Sequence, residues 1–447
     1  MPEERTTRQA WLVWIIAVLI YVAAVFHRSS IGVAGLAASE RFGIGPAALS
    51  VLTVLQVLVY AVMQIPAGLL VDRFGPRRIL LAATVLLGLG QVLFALATSY
   101  PLGLAARIVV GLGDAMTWVG VVRLVAAHFP PRRYAFLVSV SLALGAAGNI
   151  VSTVPLTVLL QHVGWTATFL AVGGATTVYA GLAAGRLRDV PPGATAAHVD
   201  PVPLREIGTQ IGQSWRNAGT RLGFWVHFST NAVPTTLGLV WGFPYLVQAQ
   251  GLNSAVAASL LGLLVVGSVV GGPIVGAVTA RRPERRMPIA VGFLASATVL
   301  WTGVLAWPDG HPPLALLVVA FALLSQGSPT SAIGFSLARD YNPARQVGTS
   351  TGVVNVGGFV ATTLAAAGVG VLLQAAGTMA PQQAFRMALL SLAVLLALGA
   401  WRTLVWWRRG RAVVFAAEAR GEEVPVRLRP RRWDITPDVP RRELQAA

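Results

Sequence analysis

Twelve stretches of this chain carry almost nothing but apolar side chains. Their approximate limits are 11–35, 47–71, 79–98, 102–128, 134–160, 165–185, 221–247, 254–280, 287–307, 313–338, 347–374 and 384–407. The hydrocarbon core of a bilayer takes about 20 helical residues to cross, and each stretch reaches that length. No water is present there to satisfy backbone N–H and C=O groups, so spans of this kind close their hydrogen bonds as α-helices. The expected fold is an all-α membrane protein with twelve transmembrane helices. Charged residues make up only 11% of the chain, against about 25% in soluble domains. There is no cysteine, which excludes disulfides and thiolate metal sites.

The net charge is +17, and every basic residue is arginine. A nucleic-acid binder can show such a balance, but here the arginines sit in short loops between apolar spans. Arg5, Arg8, Arg73, Arg77, Arg78, Arg132, Arg133, Arg281, Arg282, Arg285, Arg286, Arg339 and Arg345 all fall on one side, as do the central linker and the tail. Arg41 and Arg386 fall on the other, and Arg28, Arg107 and Arg123 lie within spans. Such asymmetry marks the cytoplasmic face, so both termini are expected there, in a multi-pass protein of the cytoplasmic membrane. Residues 1–8 are short and polar and lead into a full-length helix, without the pattern of a cleavable signal peptide.

One charged turn organises the first half: Gly68-Leu69-Leu70-Val71-Asp72-Arg73-Phe74-Gly75-Pro76-Arg77-Arg78. Gly68 admits a close neighbour helix. Asp72 sits where a helix leaves the hydrocarbon, deep enough to need a partner. Gly75 and Pro76 punctuate the turn. The pattern returns without a gap in Gly276-Ala277-Val278-Thr279-Ala280-Arg281-Arg282-Pro283-Glu284-Arg285-Arg286, with Ala280 where Asp72 stood. A repeat this far apart implies two related halves. The domains expected are a six-helix bundle over 1–185, a linker over 186–220, a second bundle over 221–407 and an Arg/Pro-rich tail over 408–447. Within the linker, Leu204, Ile207, Ile211 and Trp215 recur at helical spacing, as in a surface helix. The tail reads as mostly disordered, with arginines able to touch anionic lipid.

The Gly-x-x-x-Asp-Arg-x-Gly-x-Arg-Arg turn between the second and third spans resembles the signature of the major facilitator superfamily. Its worn echo in the second half strengthens that resemblance, which covers nearly the whole chain. It implies two pseudo-symmetric six-helix bundles and transport by alternating access. It also implies a conformational role for Gly68, Asp72, Arg73, Gly75, Arg77 and Arg78, with Asp72 facing the start of the eleventh span near Gly348.

Charges at bilayer depth are costly and point to function. Arg28 lies about 7 Å beyond the midpoint of the first span. Its planar fork suits a carboxylate or phosphate, the alternative being a permanent pairing to an acid or helix carbonyl. Asp114 falls near the middle of the fourth span, where a carboxyl either carries a proton or braces helices in a fixed pair. Arg107, seven residues earlier, lies on the same face about 10 Å away along the axis. Arg123 lies on the opposite face near the end of that span, where snorkelling or pairing is expected.

Arg28 with Ile31 and Ala34, then residues 64–68, then Arg107 with Gly111-Leu112-Gly113-Asp114, are similar to the organic-anion:cation symporter and sugar-phosphate branches of the superfamily. That resemblance implies anion binding at Arg28 and proton coupling through Asp114 with Arg107. Three departures stand out: His27 occupies a position often held by Asp, Asp114 replaces Glu, and span 7 lacks an Arg. Those departures weaken a sugar-phosphate reading more than a monoanion one.

Tyr60, Gln64 and Asn149 in the first half and His227, Asn231, Gln326 and Asn355 in the second are further candidates to line a substrate cavity, with His27. Each is equally able to serve as hydrogen-bonded helix glue. No phosphate loop is present, so ATP is not the energy source. No metal-ligand cluster, cofactor or nucleic-acid partner is expected. The expected partners are a small-molecule substrate, protons and membrane lipid, and the chain is expected to be monomeric. The reading is a proton-coupled secondary transporter of a small organic anion, not an enzyme. The alternative is proton-driven efflux of a drug or amphipathic metabolite, against which residues 145–155 argue by lacking the Gly-Pro pair of drug antiporters. A non-transporting sensor on the same fold would need an output domain that the tail is too short to supply.

Overall fold

The computed structural model describes residues 7–44, 46–152, 154–191, 206–422, 424, 426–431 and 434. The expected Pro-rich linker residues 192–205, Leu204 among them, lie outside the described residues. The helices are α1 (Arg8–Phe42), α2 (Pro46–Phe74), α3 (Pro76–Leu96), α4 (Tyr100–His128), α5 (Pro131–Val151), α6 (Val154–Ala184), α7 (Ile207–Arg216), α8 (Ala218–Thr236), α9 (Gly242–Pro244), α10 (Ser254–Arg281), α11 (Arg286–Leu305), α12 (Leu314–Leu324), α13 (Gly327–Tyr341), α14 (Val347–Ala376) and α15 (Pro381–Ala419).

Local chemistry sets their ends. Thr7 caps α1 by accepting from Ala10 N at 3.2 Å, and Gly43 ends the helix in the left-handed region, where glycine bears no Cβ penalty. Gly75 at φ 81° turns the chain, and Pro76 opens α3. Asn253 caps α10 through Val256 N at 2.9 Å.

Among the described residues, ten helical stretches are long and apolar enough to span a membrane. The fifth and seventh expected spans do not qualify as single helices, for local reasons. The fifth is divided between α5, which ends at Val151, and α6, which starts at Val154; the chain then turns at Gly164 (φ 73°, ψ 179°), within the gap expected between the fifth and sixth spans. The seventh leaves α-geometry after Thr236 for two π turns, Leu237–Trp241 and Tyr245–Ala249, with α9 between them. It also carries the polar run His227-Phe228-Ser229-Thr230-Asn231. The tenth expected span is α12 and α13, joined through Ser325 and Gln326. The last helix runs to Ala419, well past the expected limit near 407.

The chain divides into two compact units. One comprises Met1–Tyr134, Leu144–Ile211 and Ala344–Gly352; the other comprises Ala135–Ala143, Gly212–Pro343 and Val353–Ala447. The first unit buries an aromatic cluster of Phe94, Phe169 and their neighbours Phe42 and Trp165. The second buries Tyr245, Trp301 and Phe321. Outward-facing aliphatics stay bare, Val299 being 74% exposed and Val178 66%, as a surface meant for lipid requires.

The aligned glycines of the sequence repeat do the same work, each within its own unit. A Cβ on Gly68 would lie 2.9 Å from Gly348 C, and one on Gly276 would lie 3.0 Å from Phe136 Cα. Helix α3 crosses α6 as closely: a Cβ on Gly88 would come within 2.8 Å of Gly173 O, and one on Gly173 within 2.8 Å of Gly88 O. Gly88→Ala is expected to destabilise the first unit by about 1–3 kcal/mol through forced separation of these backbones. Thermal unfolding of the purified protein in detergent checks this; an unchanged midpoint would refute the close crossing.

Candidate functional site

Helix α1 places Arg28 against α4, where its guanidinium forms a two-point pair with Asp114. Nε donates to Oδ2 at 2.7 Å and Nη2 to Oδ1 at 2.7 Å. The two ends of the pair differ in access: the Arg28 side chain is 30% exposed and that of Asp114 is 0%. The guanidinium also lies 4.5 Å from the ring centroid of Tyr60 on α2, a cation–π contact strengthened by poor solvation. Gln64, one turn further along α2, is fully buried and donates to Tyr60 O at 3.1 Å and Ala115 O at 3.4 Å. Arg28, Asp114, Tyr60 and Gln64 therefore form one cluster across α1, α2 and α4.

Arg107 does not hydrogen-bond Asp114, although both lie on one face of α4. Its side chain turns to α1, where Nη1 donates to His27 O and Nη2 to Arg28 O, each at 3.3 Å, and Nη2 also donates to Gln56 on α2. Equal facing on a helix sets direction, not contact, and the seven-residue spacing leaves room for Arg28 to reach Asp114 first. Arg107 is 0% exposed. The cluster thus holds two guanidiniums against the single carboxylate of Asp114 and carries an excess of one positive charge.

His27 points elsewhere than Arg28. It is fully buried, with Nε2 2.9 Å from Thr176 Oγ1 on α6. Asn149 is exposed on α5. The neighbouring Ser152 donates to Asn149 O at 2.8 Å and shares a 2.8 Å hydroxyl contact with Ser29.

In the second unit, His227 and Asn231 on α8 meet α14 at Gly358. A Cβ on that glycine would lie 2.6 Å from His227 Nε2 and 3.2 Å from Asn231 Nδ2. Asn355, one turn earlier on α14, is buried. Gln326 donates to Gly267 O on α10 at 3.0 Å and to Ser325 Oγ at 2.9 Å, which ties α10 to the α12–α13 junction.

At the arginine-rich end of the first unit, Asp72 caps the N-terminus of α14. Its Oδ1 accepts from Gly348 N at 2.9 Å; its Oδ2 accepts from Thr349 N and Thr349 Oγ1, each at 2.7 Å. Free N–H groups and the helix dipole both favour a carboxylate there. Arg123 approaches to 3.8 Å, which pairs it rather than leaving it to snorkel. Arg77 N donates to Asp189 at 2.8 Å, and its Nη2 donates to Ala184 O at 3.0 Å. Arg73 and Arg78 stay exposed. Asp189 and Thr349 were not singled out from the sequence. The first hides in an Arg-Leu-Arg-Asp tract that reads as loop charge, and the second lies in an otherwise ordinary helix start.

The sequence profile described as Major Facilitator Superfamily matches residues 17–309. The chain belongs to the Major Facilitator Superfamily. It is a multi-pass membrane transporter, not an enzyme. It is 23% identical over 415 residues to a "Probable galactarate/D-glucarate transporter" of Escherichia coli (strain K12), covering 84% of this chain and 89% of that protein. It is 25% identical over 381 residues to a "Probable sulfoacetate transporter" of Cupriavidus necator, covering 80% and 86%. A D-galactonate transporter of Escherichia coli O6:H1 is 23% identical over 403 residues, covering 84% and 91%. Among solved structures, the E. coli fucose:proton symporter superposes with a TM-score of 0.65 at 17% identity, over 87% of this chain and 99% of that one. A proton:xylose symporter superposes with a TM-score of 0.65 at 14% identity, over 89% and 96%. These likenesses establish the superfamily fold of twelve membrane helices in two six-helix bundles.

Removing Arg28 alone strands a buried carboxylate. Arg28→Ala is expected to destabilise the protein by about 3–5 kcal/mol if Asp114 stays ionised. Adding Asp114→Ala should recover part of that loss, a coupling that a double-mutant thermal cycle in detergent measures directly. Additive effects would show that the pair contributes nothing.

Proposed function

We propose that this protein carries a small organic anion across the cytoplasmic membrane together with a proton, by alternating access. The arginine-rich end and both termini would face the cytoplasm, as the loop charges favour. The observation that carries the reading is the Arg28–Asp114 pair itself: a partly exposed guanidinium held by a fully buried carboxylate.

That pair makes one guanidinium the object of two competitors. A substrate carboxylate or sulfonate approaching the exposed face of Arg28 competes with Asp114 for the same N–H fork. A proton on Asp114 removes the internal competitor and frees the fork. Conversely, an anion that draws Arg28 away leaves Asp114 buried without its counter-charge, a state that protonation relieves. By reciprocity of linked binding, proton and anion then assist each other, which is the requirement for symport. The excess positive charge supplied by Arg107 favours an anion over a neutral or cationic cargo. Only Arg28 of the two arginines is accessible, so the geometry suits one strongly anionic group per substrate. Several relatives are named as transporters of organic acids, which supports the same class.

Proteoliposomes with an acidified exterior should accumulate a labelled organic monoanion such as an aldonate. Arg28→Lys should lower uptake at least about tenfold, because an ammonium cannot reproduce the two-point fork. Asp114→Asn should abolish proton-driven accumulation while sparing anion exchange. Accumulation by Asp114→Asn equal to wild type would refute coupling through this carboxyl; extrusion of preloaded cargo in place of uptake would favour the efflux reading.

A further inference from the structure

The segment beyond the last helix is not a free tail where it is described. Arg411, on the final turns of α15, is 5% exposed although it carries a charge. Its Nε donates to Asp434 Oδ1 at 2.5 Å; its Nη2 donates to Asp434 Oδ2 at 2.6 Å and to Arg429 O at 2.7 Å. Asp434 Oδ2 also accepts from Arg431 N at 2.5 Å, and the Arg431 guanidinium lies 5.1 Å from the Trp407 ring centroid. Between these polar fastenings, Val426 and Leu428 face Leu222 of α8, Met287 of α11, Tyr341 of α13 and Trp407 of α15. The space left there is about 40 Å³, room for little more than a water and far too small for an organic ligand.

The first unit has a counterpart of this arrangement. After α6 the chain turns back, and Asp189 accepts from Arg77 N at the start of α3. In the sequence repeat, residues 283–287 stand where 75–79 stand in the first half. In each unit the segment after the sixth span therefore returns to the same element, the turn before the third span. In the first unit an aspartate makes that contact directly. In the second, the return is apolar and the aspartate fastens the segment to its own last helix.

We propose that residues 426–431, latched by Asp434 onto Arg411, form a strap that holds the ends of α8, α11, α13 and α15 together as one rigid end of the second unit. The partners named here all belong to that unit, so these contacts fasten the unit to itself. The Arg411 guanidinium, hydrogen-bonded to the carboxylate, holds Asp434 below the usual carboxylate range. A carboxyl lowered on docking contributes above its free value of about 3.9 and is lost only as pH falls through the lower docked value. The latch therefore stays closed across the neutral range.

Trypsin tests the strap, because Arg427 and Arg431 are its own cleavage sites. The full-length protein is reconstituted in vesicles of phosphatidylcholine, with or without phosphatidylglycerol. In both lipids the wild type should be cut slowly at these sites, and Asp434→Asn at least about ten times faster, since cleavage follows the opened population. Cleavage after Arg285, whose neighbour Arg286 is buried beside the strap, should rise with it, and the unfolding temperature should fall. Asp434→Glu should keep most of the protection. Wild type cut as fast as Asp434→Asn would overturn the latch. Protection seen only with phosphatidylglycerol would do so equally, showing arginines held by lipid. An unchanged rate after Arg285 would overturn the clamping of helix ends.

Discussion

A carboxylate with no exposed surface, deep in a membrane protein, sets the terms for everything around it. Arg28 meets Asp114 there with two short, parallel hydrogen bonds and brings the opposite charge against it. Arg28 is in turn oriented by stacking on Tyr60 and by the position of α1, whose carbonyls at His27 and Arg28 are gripped by Arg107. Each group is poorly placed without the others. A small change of charge at one atom is therefore felt across three helices, which is what a coupling device needs.

Arg107 acquires a different meaning from this geometry. It reaches backbone rather than acid, so it braces the turn of α1 that carries Arg28. Asp72 shows the contrasting solution for a buried carboxylate. It is met by two backbone N–H groups and a hydroxyl at the start of α14, with Arg123 at a looser 3.8 Å. Dipoles fixed in a helix terminus hold an acid for as long as that terminus stays put. A mobile guanidinium holds an acid only until something else claims it. The first kind of contact suits a structural lock and the second a site that must switch.

Much of this was legible in the residues. Apolar length and arginine placement announced membrane helices, and the Gly68–Arg78 turn with its echo announced two related halves. The partner of Asp72 near Gly348 followed from the family resemblance, and the coordinates put the carboxylate there. What stayed hidden depends on contacts between distant segments. Nothing in α1 or α4 taken singly says that Arg28, rather than Arg107, reaches Asp114; that choice is made by helix packing. The stretch after α15 shows the same limit: its arginine and proline composition does not reveal that Asp434 meets Arg411, 23 positions away. The π turns after Thr236 were equally invisible, since periodicity does not distinguish them from a continued α-helix.

The two units divide the chemistry unequally. The first buries the fixed charges Arg28, Arg107 and Asp114, whereas the polar groups singled out in the second, His227, Asn231, Gln326 and Asn355, bring no fixed charge with them. For the anion proposed above, the counter-charge comes from the Arg28 cluster of the first unit. A cargo with two strongly anionic groups would leave one of them without a partner in that cluster at membrane depth, where an uncompensated charge is expensive. A cargo with one anionic group and an uncharged, hydrogen-bonding remainder meets no such penalty. The names of the relatives span both kinds, so it is the charge inventory of this chain, not its resemblance to any one of them, that favours the single anion.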